Sequence, residues 1–521
     1  MIAWQVARQS ERCFARETIY VVRGPRPKIS NTVRGVSLPT PSLSSSATGQ
    51  GASHQLVRLP RERRLRLFAL VCILFFTTSG GAFGLEPLIG AVGPGWAVLL
   101  ILVTPLIWSL PMALMVAELA TLMPEEGGYY VWVRETLGPF WAVQEAWWTM
   151  GYTVALLAIF PVLFVSYLTF FIPALSSPSA DGSFSAWGAL LRWLVAVVVI
   201  VTATAVNLRG ARDAGRSAKV IALFVVGAFA LLVLTWLQRA QASSSIIDIV
   251  TRDLASNNRG ALLLGMSIIV LNYSGWDNVS TFAAEVDQPQ RNYPRAIAVT
   301  LLVVVLIYLL PVIAGLTVTT NPAIWTTDAG WPVISQLIGG RWLGSLLAAA
   351  GLVSSWGMFN AQLLYVSRLP WVMACDGWLP RLFAKVSPDS AVPKASIISF
   401  SLLAALFTAF SFGGLAVIQG ILYTGALTLE FLALIVVRVR RSAPPRGFRV
   451  PGGWWGLSYV CLTPLVFASL VLIAILRDWK SYPGQLLVVG LVLISGAALY
   501  FLRRKMAIPP DGPMPEVVSR F

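Results

Sequence analysis

Long apolar runs separated by short polar stretches dominate this chain. The runs over 97–117, 191–206, 220–237, 296–318 and 484–502 carry few or no charges. A helix needs about 20 mostly apolar residues to cross a bilayer. Only helices and closed barrels satisfy their backbone groups in lipid. The pattern predicts an all-α polytopic membrane protein. Its spans are expected at 66–90, 95–122, 140–171, 187–208, 214–237, 260–286, 294–318, 342–372, 394–411, 415–438, 456–476 and 482–503.

Two of these runs contain sequence that breaks helices. The first holds Thr77-Thr78-Ser79-Gly80-Gly81-Ala82-Phe83-Gly84, and each glycine weakens a helix by about 1 kcal/mol. The sixth holds Asn272-Tyr273-Ser274-Gly275-Trp276-Asp277-Asn278. Broken helices at matching places mark an inverted five-plus-five repeat with a binding site between the halves. The expected units are 66–237 and 260–438, with added helices over 456–503. Unwound backbone is tolerated at membrane depth only where it lines a cavity or is buried in protein. Half-helix N-termini there would suit anionic groups.

Composition supports a membrane reading. Of the 521 residues, 56% are hydrophobic and 12% are charged, against about 25% charged in soluble chains. The net charge of +16 would suit nucleic acid, but the basic residues sit in short clusters between apolar runs. They gather in 58–66 and in the even-numbered connections, as with Arg209, Arg212 and Arg216, Arg291 and Arg295, and Arg438, Arg440 and Arg441. The opposite face has Arg192, Arg239, Arg252, Arg259, Arg341, Arg477 and Lys480. This asymmetry predicts that both termini are cytoplasmic, in a multi-pass protein of the cell membrane. Residues 1–65 read as a disordered cytoplasmic tail, 66–505 as the transmembrane domain and 506–521 as a C-terminal tail. The four scattered cysteines have no metal-ligand spacing, and the one histidine, His54, lies in the tail.

Charges inside a bilayer cost about 2.5–3.5 kcal/mol even on the lenient insertion scale, so they are candidates for function. At membrane depth the chain has Glu86, Glu118, Glu145, Asp277, Glu285 and Glu430, against Lys219 as the one clear base. Six acids to one base suit a cationic solute or a proton. Asp277 follows the second break and can bind an ammonium group. Trp276 could stack on a cation. A diamine needs two anionic ends, which Asp277 with Glu86 or Glu145 could supply. Glu118 and Glu285 are expected to pair with loop arginines, and Glu430 is isolated. The backbone at Gly80 and Gly81 and the side chain of Tyr273 complete the expected substrate contacts.

The stretches SGGAFGLE (79–86), AELATLMPEEGGYYVWV (117–133), GPFWAVQEAWW (138–148), WDNVSTFAAEVDQPQRNYPRA (276–296) and SRLPWVMACDGWLPRLFAKV (367–386) resemble the amino acid–polyamine–organocation superfamily. The L-type and plant-type polyamine uptake branch is the most similar. The resemblance spans about residues 66–450. It implies a LeuT-like fold, a site between spans one, three, six and eight, and rocking-bundle alternating access. It also implies a gating carboxylate at Asp277, and a lysine at 219 that stands in for a sodium ion and couples transport to protons.

The function expected is sodium-independent, proton-coupled transport of polyamines of the putrescine and spermidine type. Transport or exchange of neutral or cationic amino acids is the alternative within this fold. A polytopic membrane enzyme is the competing class. It would need a catalytic cluster outside the membrane, and no metal, phosphate or nucleophile motif is present. No cofactor is expected. The expected partners are a small cationic substrate, protons and the lipid bilayer, and not nucleic acid.

Overall fold

The computed structural model describes residues 67–504 except 124–126, 176–184, 210, 240–244, 256–261, 279, 281–287, 327–329, 388–391, 441–447 and 478. The side chains of 211–219 are also outside the description. The expected tails, and Glu285, therefore lie beyond the described residues.

The helices follow in the order α1 (Leu67–Thr78), α2 (Glu86–Val92), α3 (Pro94–Leu122), α4 (Tyr129–Leu137), α5 (Pro139–Leu168), α6 (Ala186–Arg209), α7 (Ala211–Arg239) and α8 (Ile246–Ala255). They continue as α9 (Leu262–Asn272), α10 (Pro289–Val318), α11 (Gly330–Gly339), α12 (Arg341–Cys375), α13 (Lys394–Phe407), α14 (Phe412–Arg440), α15 (Gly453–Arg477) and α16 (Pro483–Arg503). Among the described residues, nine helices are long and apolar enough to cross a membrane. The three other expected spans are the two interrupted ones and α13, a shorter apolar helix. The protein is an all-α, multi-pass membrane protein.

Local sequence sets the helix ends. Pro94 and Pro139 open α3 and α5 where a missing N–H costs nothing, each after a glycine. Gly93 has φ +83°, a left-handed value that other residues rarely adopt, and this turn lets α2 fold back into α3. Inside α3, Pro105 cannot donate to the helix ladder, and Pro105–Ser109 widens into a π-turn. The Ile101 carbonyl, which loses its donor to Pro105, accepts from the Tyr273 hydroxyl at 3.0 Å, and the Leu106 carbonyl accepts from Tyr459.

At the centre, α5 packs against both α12 and α14, and α1 packs against α10. α9 packs against α2, so the two interrupted spans lie side by side. Besides α4, two of these helices fall outside the expected spans. The apolar positions Ile246, Ile249, Val250 and Leu254 recur at helical spacing in the 238–259 connection, which forms α8. Asp253 of α8 accepts a hydrogen bond from the Gly95 N–H at 2.8 Å, and so satisfies an orphan amide at the start of α3. The second, α11, sits between α10 and α12 and closes over the first break.

Glu118 is buried near the end of α3. It forms an ion pair with Arg438 at the end of α14 and accepts the Val450 N–H at 2.7 Å. This is the pairing with a basic cluster that the sequence suggests for Glu118. Removing one partner of a buried pair strands a charge and costs about 3–5 kcal/mol. Glu118→Ala should therefore lower the melting temperature of the purified protein well below wild type, and an unchanged melting curve would contradict this packing.

Candidate functional site

Both breaks occur where the sequence places them, and each freed backbone group described here finds a partner. At the first break Gly80 and Gly81 have φ +61° and +100°. A Cβ on Gly80 would lie 2.9 Å from the Met358 sulfur, and one on Gly81 2.7 Å from Val225 Cγ1, so only glycine fits at both places. The Gly80 carbonyl accepts from Ser354 Oγ at 2.7 Å. The Ala82 carbonyl accepts from the Trp331 ring N–H, also at 2.7 Å. The Gly81 N–H donates to Ser79 Oγ at 3.2 Å.

At the second break the Asn272 carbonyl accepts from Tyr308 at 2.7 Å, and the Tyr273 carbonyl from Trp276 Nε1 at 2.9 Å. Gly275 has φ +97°, and a Cβ there would lie 2.8 Å from the Thr77 carbonyl. The two breaks therefore touch at Thr77 and Gly275. Asn272 Nδ2 also bridges them by donating to the Gly84 carbonyl at 3.3 Å.

A cavity opens at this crossing. Thr77, Thr78 and Ser79 line it from the first break, and Asn272, Ser274, Gly275 and Asn278 from the second. Tyr152 and Phe160 of α5, Met358 and Gln362 of α12, and Gln419 and Tyr423 of α14 complete most of the wall. No charged side chain is among the lining residues.

Asp277 sits directly behind this wall and is 1% exposed. Its Oδ1 accepts from Tyr423 at 2.8 Å, and its Oδ2 from Tyr152 at 3.4 Å. The two tyrosine rings meet edge to face, with centroids 4.9 Å apart. Tyr423 also accepts the Gly275 N–H at 3.1 Å. Because both hydroxyl protons point to the carboxylate, an oxygen lone pair is what each tyrosine can offer to a solute. The charge of Asp277 acts on the cavity through one layer of hydroxyls, across a medium far less polarisable than water.

The other expected contacts are spread around this centre. Tyr273 is fully buried, and its hydroxyl donates to the Ile101 carbonyl at 3.0 Å, so it braces the break from behind. Trp276 is likewise buried against Tyr273. Gly80 and Gly81 shape the first break without being among the lining residues.

Glu86 is held away from the cavity. Its Oε2 accepts from the Gly84 N–H at 2.8 Å, and its Oε1 from Tyr167 at 2.8 Å and the Trp331 N–H at 3.3 Å. It joins the outer half of the first span to α11. Glu145 lies deeper along α5, fully buried, with Oε1 accepting from Thr149 at 2.8 Å. Lys219 is in α7, and its side chain lies outside the described residues. Tyr152 and Tyr423, which hold Asp277, escape a reading of the sequence because tyrosines in apolar spans look like core.

Tyr423→Phe removes the nearer donor to Asp277 and the acceptor for Gly275. A buried group left unsatisfied costs about 1–3 kcal/mol. Tyr152 makes only the 3.4 Å contact to Asp277. In thermal unfolding of the two purified variants, Tyr423→Phe should be destabilised more than Tyr152→Phe. The reverse order would contradict the hydrogen-bond assignment.

Comparison with known proteins places the architecture in a family. The family model described as amino acid permease matches residues 65–494. The chain is 32% identical over 471 residues to the polyamine transporter RMV1 of Arabidopsis thaliana, covering 90% of this chain and 92% of that protein. It is 34% identical to the polyamine transporter PUT1 of Oryza sativa subsp. japonica, covering 87% and 82%. A more distant relative, 26% identical over 87% of this chain and 95% of its own length, is the methylthioribose transporter of Bacillus subtilis (strain 168). The chain belongs to the amino acid permease family, within the amino acid–polyamine–organocation superfamily that its motifs resemble.

Proposed function

We propose that this protein is a secondary active transporter that carries polyamines of the putrescine and spermidine class across a cell membrane by alternating access. Both termini are placed in the cytoplasm on the distribution of Lys and Arg. The observation that carries the substrate reading is the Asp277 carboxylate, held by Tyr152 and Tyr423 at a cavity wall with no lysine or arginine. An ammonium group can donate to tyrosine and amide oxygens while Asp277 supplies the opposite charge. A carboxylate in the same place would face Asp277 with no described cation to offset it. The Gly81 N–H, which could otherwise serve an α-carboxylate, is already bonded to Ser79. The names of the plant relatives agree with the polyamine reading.

Coupling is assigned to protons rather than sodium, with Lys219 taking the place of the ion beside the first break. A lysine supplies the positive charge of such an ion, and it can exchange a proton.

Asp277→Asn keeps the shape and removes the charge. A hydrogen bond to a charged group contributes about 1.5–3 kcal/mol, and about 1.4 kcal/mol is tenfold in affinity. Putrescine and spermidine binding should weaken by about 10- to 150-fold in this variant. Uptake into proteoliposomes should respond to a pH gradient, ignore sodium, and fall in Lys219→Ala. Unchanged polyamine affinity in Asp277→Asn, or wild-type transport confined to neutral amino acids, would overturn the substrate reading. Steep sodium dependence would overturn the coupling.

A further inference from the structure

A second acidic layer lies behind the tyrosine pair. On α5, Glu145, Thr149 and Tyr152 are four and seven residues apart, so they share one helix face. On α14, Tyr423 and Glu430 are also seven apart. In each case the glutamate lies two turns, about 10 Å, from its tyrosine. Chain direction puts both glutamates on the same side of the tyrosines. Glu145 precedes Tyr152 in α5, Glu430 follows Tyr423 in α14, and these helices, the third and tenth expected spans, run in opposite senses in the expected topology. That side is the one where α14 ends at Arg438 and Arg440.

The two glutamates lie in a closed environment. They are 0% and 1% exposed, and they interact electrostatically with each other and with Asp277. Oε1 of Glu145 is taken by Thr149. Oε2 of Glu145 and Oε2 of Glu430 are buried and have no hydrogen-bond partner among the described residues. The titratable groups facing them are Tyr129 of α4, Tyr152 of α5, Asp277 and Tyr423 of α14, while Tyr365 of α12 faces Asp277. From α16, Gly496 and Ser495 meet the neighbouring Gln144 and Trp147, and neither titrates. The nearest described cation along α14 is Arg438, and Glu118 and the Val450 carbonyl already hold it.

Three carboxylates cannot all be ionised in such a place without a counter-charge. We propose that Glu145 and Glu430 form a proton-binding site, which holds one proton on an unpartnered Oε2 and releases it when a cation docks at Asp277. The proton leaves one carboxyl neutral and so lowers the repulsion among the three acids. An ammonium group at Asp277 brings the missing positive charge. The O–H bond then breaks, the proton leaves to water, and both glutamates remain as carboxylates. This second step rests on the polyamine reading above, whereas the bound proton does not.

Coupling of this kind is reciprocal. If one proton leaves for each amine bound, putrescine affinity rises with pH by up to about tenfold per unit. Infrared difference spectra of the purified wild type and of a Glu145→Gln/Glu430→Gln double variant test the proposal. The amine-free wild type should show a protonated-carboxyl band that shifts in deuterium oxide and is lost on saturation with putrescine. The double variant should lack that contribution and bind putrescine with an affinity that no longer changes with pH. Single variants, with size-exclusion profiles, control for misfolding, and the wild-type spectra alone decide the matter if the variants fail to fold. A wild type without the band, a double variant that keeps all of it, or a band that survives saturating putrescine would each overturn the proposal. If putrescine fails to bind at all, the polyamine reading fails, while the amine-free spectra still decide whether the proton is there.

Discussion

Every backbone amide and carbonyl at membrane depth needs a partner, because lipid provides none. The two interrupted helices release such groups in the middle of the protein, and much of the surrounding structure answers them. Ser354 of α12 reaches Gly80, and Trp331 of α11 reaches Ala82. Tyr308 of α10 reaches Asn272, Ser109 of α3 reaches the Tyr273 carbonyl, and Tyr423 of α14 takes the Gly275 N–H. Five helices are thus fastened to the crossing by polar contacts, and the crossing is where the cavity opens. The same interruptions that weaken two helices also fix their neighbours around one point.

Buried charge is the second organising constraint, and the protein holds Glu118, Glu86 and Asp277 in three different ways. Glu118 has a guanidinium and a backbone amide. Glu86 has neutral donors alone, two backbone amides and a tyrosine, which fasten the first break to α11. Asp277 also has neutral donors, but they line the cavity, so its charge remains open to a solute through the tyrosine oxygens. The first arrangement suits a fixed joint and the third a reversible one. Glu145 and Glu430 follow none of these patterns, since each keeps an oxygen without a donor.

The sequence displays much of this. A glycine cluster within an apolar run marks the first break and a polar run around a single glycine marks the second, because φ +61° beside Met358 at Gly80 and the approach of Gly275 to Thr77 both favour glycine. Asp277 stands out because a charge in an apolar span is costly. Tyr152, Tyr423 and Tyr308 do not stand out, since an aromatic ring in a span is equally at home in the core; only the fold shows where each hydroxyl points. Glu430 stands isolated in the sequence for the same reason. Its neighbours Glu145 and Asp277 come from helices far away in the chain. The helix α8 was legible in its apolar spacing, but it was too short and too charged to register as a span.

The central claim is that an ammonium group docks at the crossing of the two breaks, on the tyrosine pair before Asp277. A structure of the wild-type protein with spermidine bound, in lipid nanodiscs, tests it most directly. An amine nitrogen within hydrogen-bond distance of the Tyr152 or Tyr423 oxygen, with the chain lying along Ser274 and Gln419, is the expected result. A cavity left empty at saturating spermidine, or spermidine seated away from Asp277, would contradict the account.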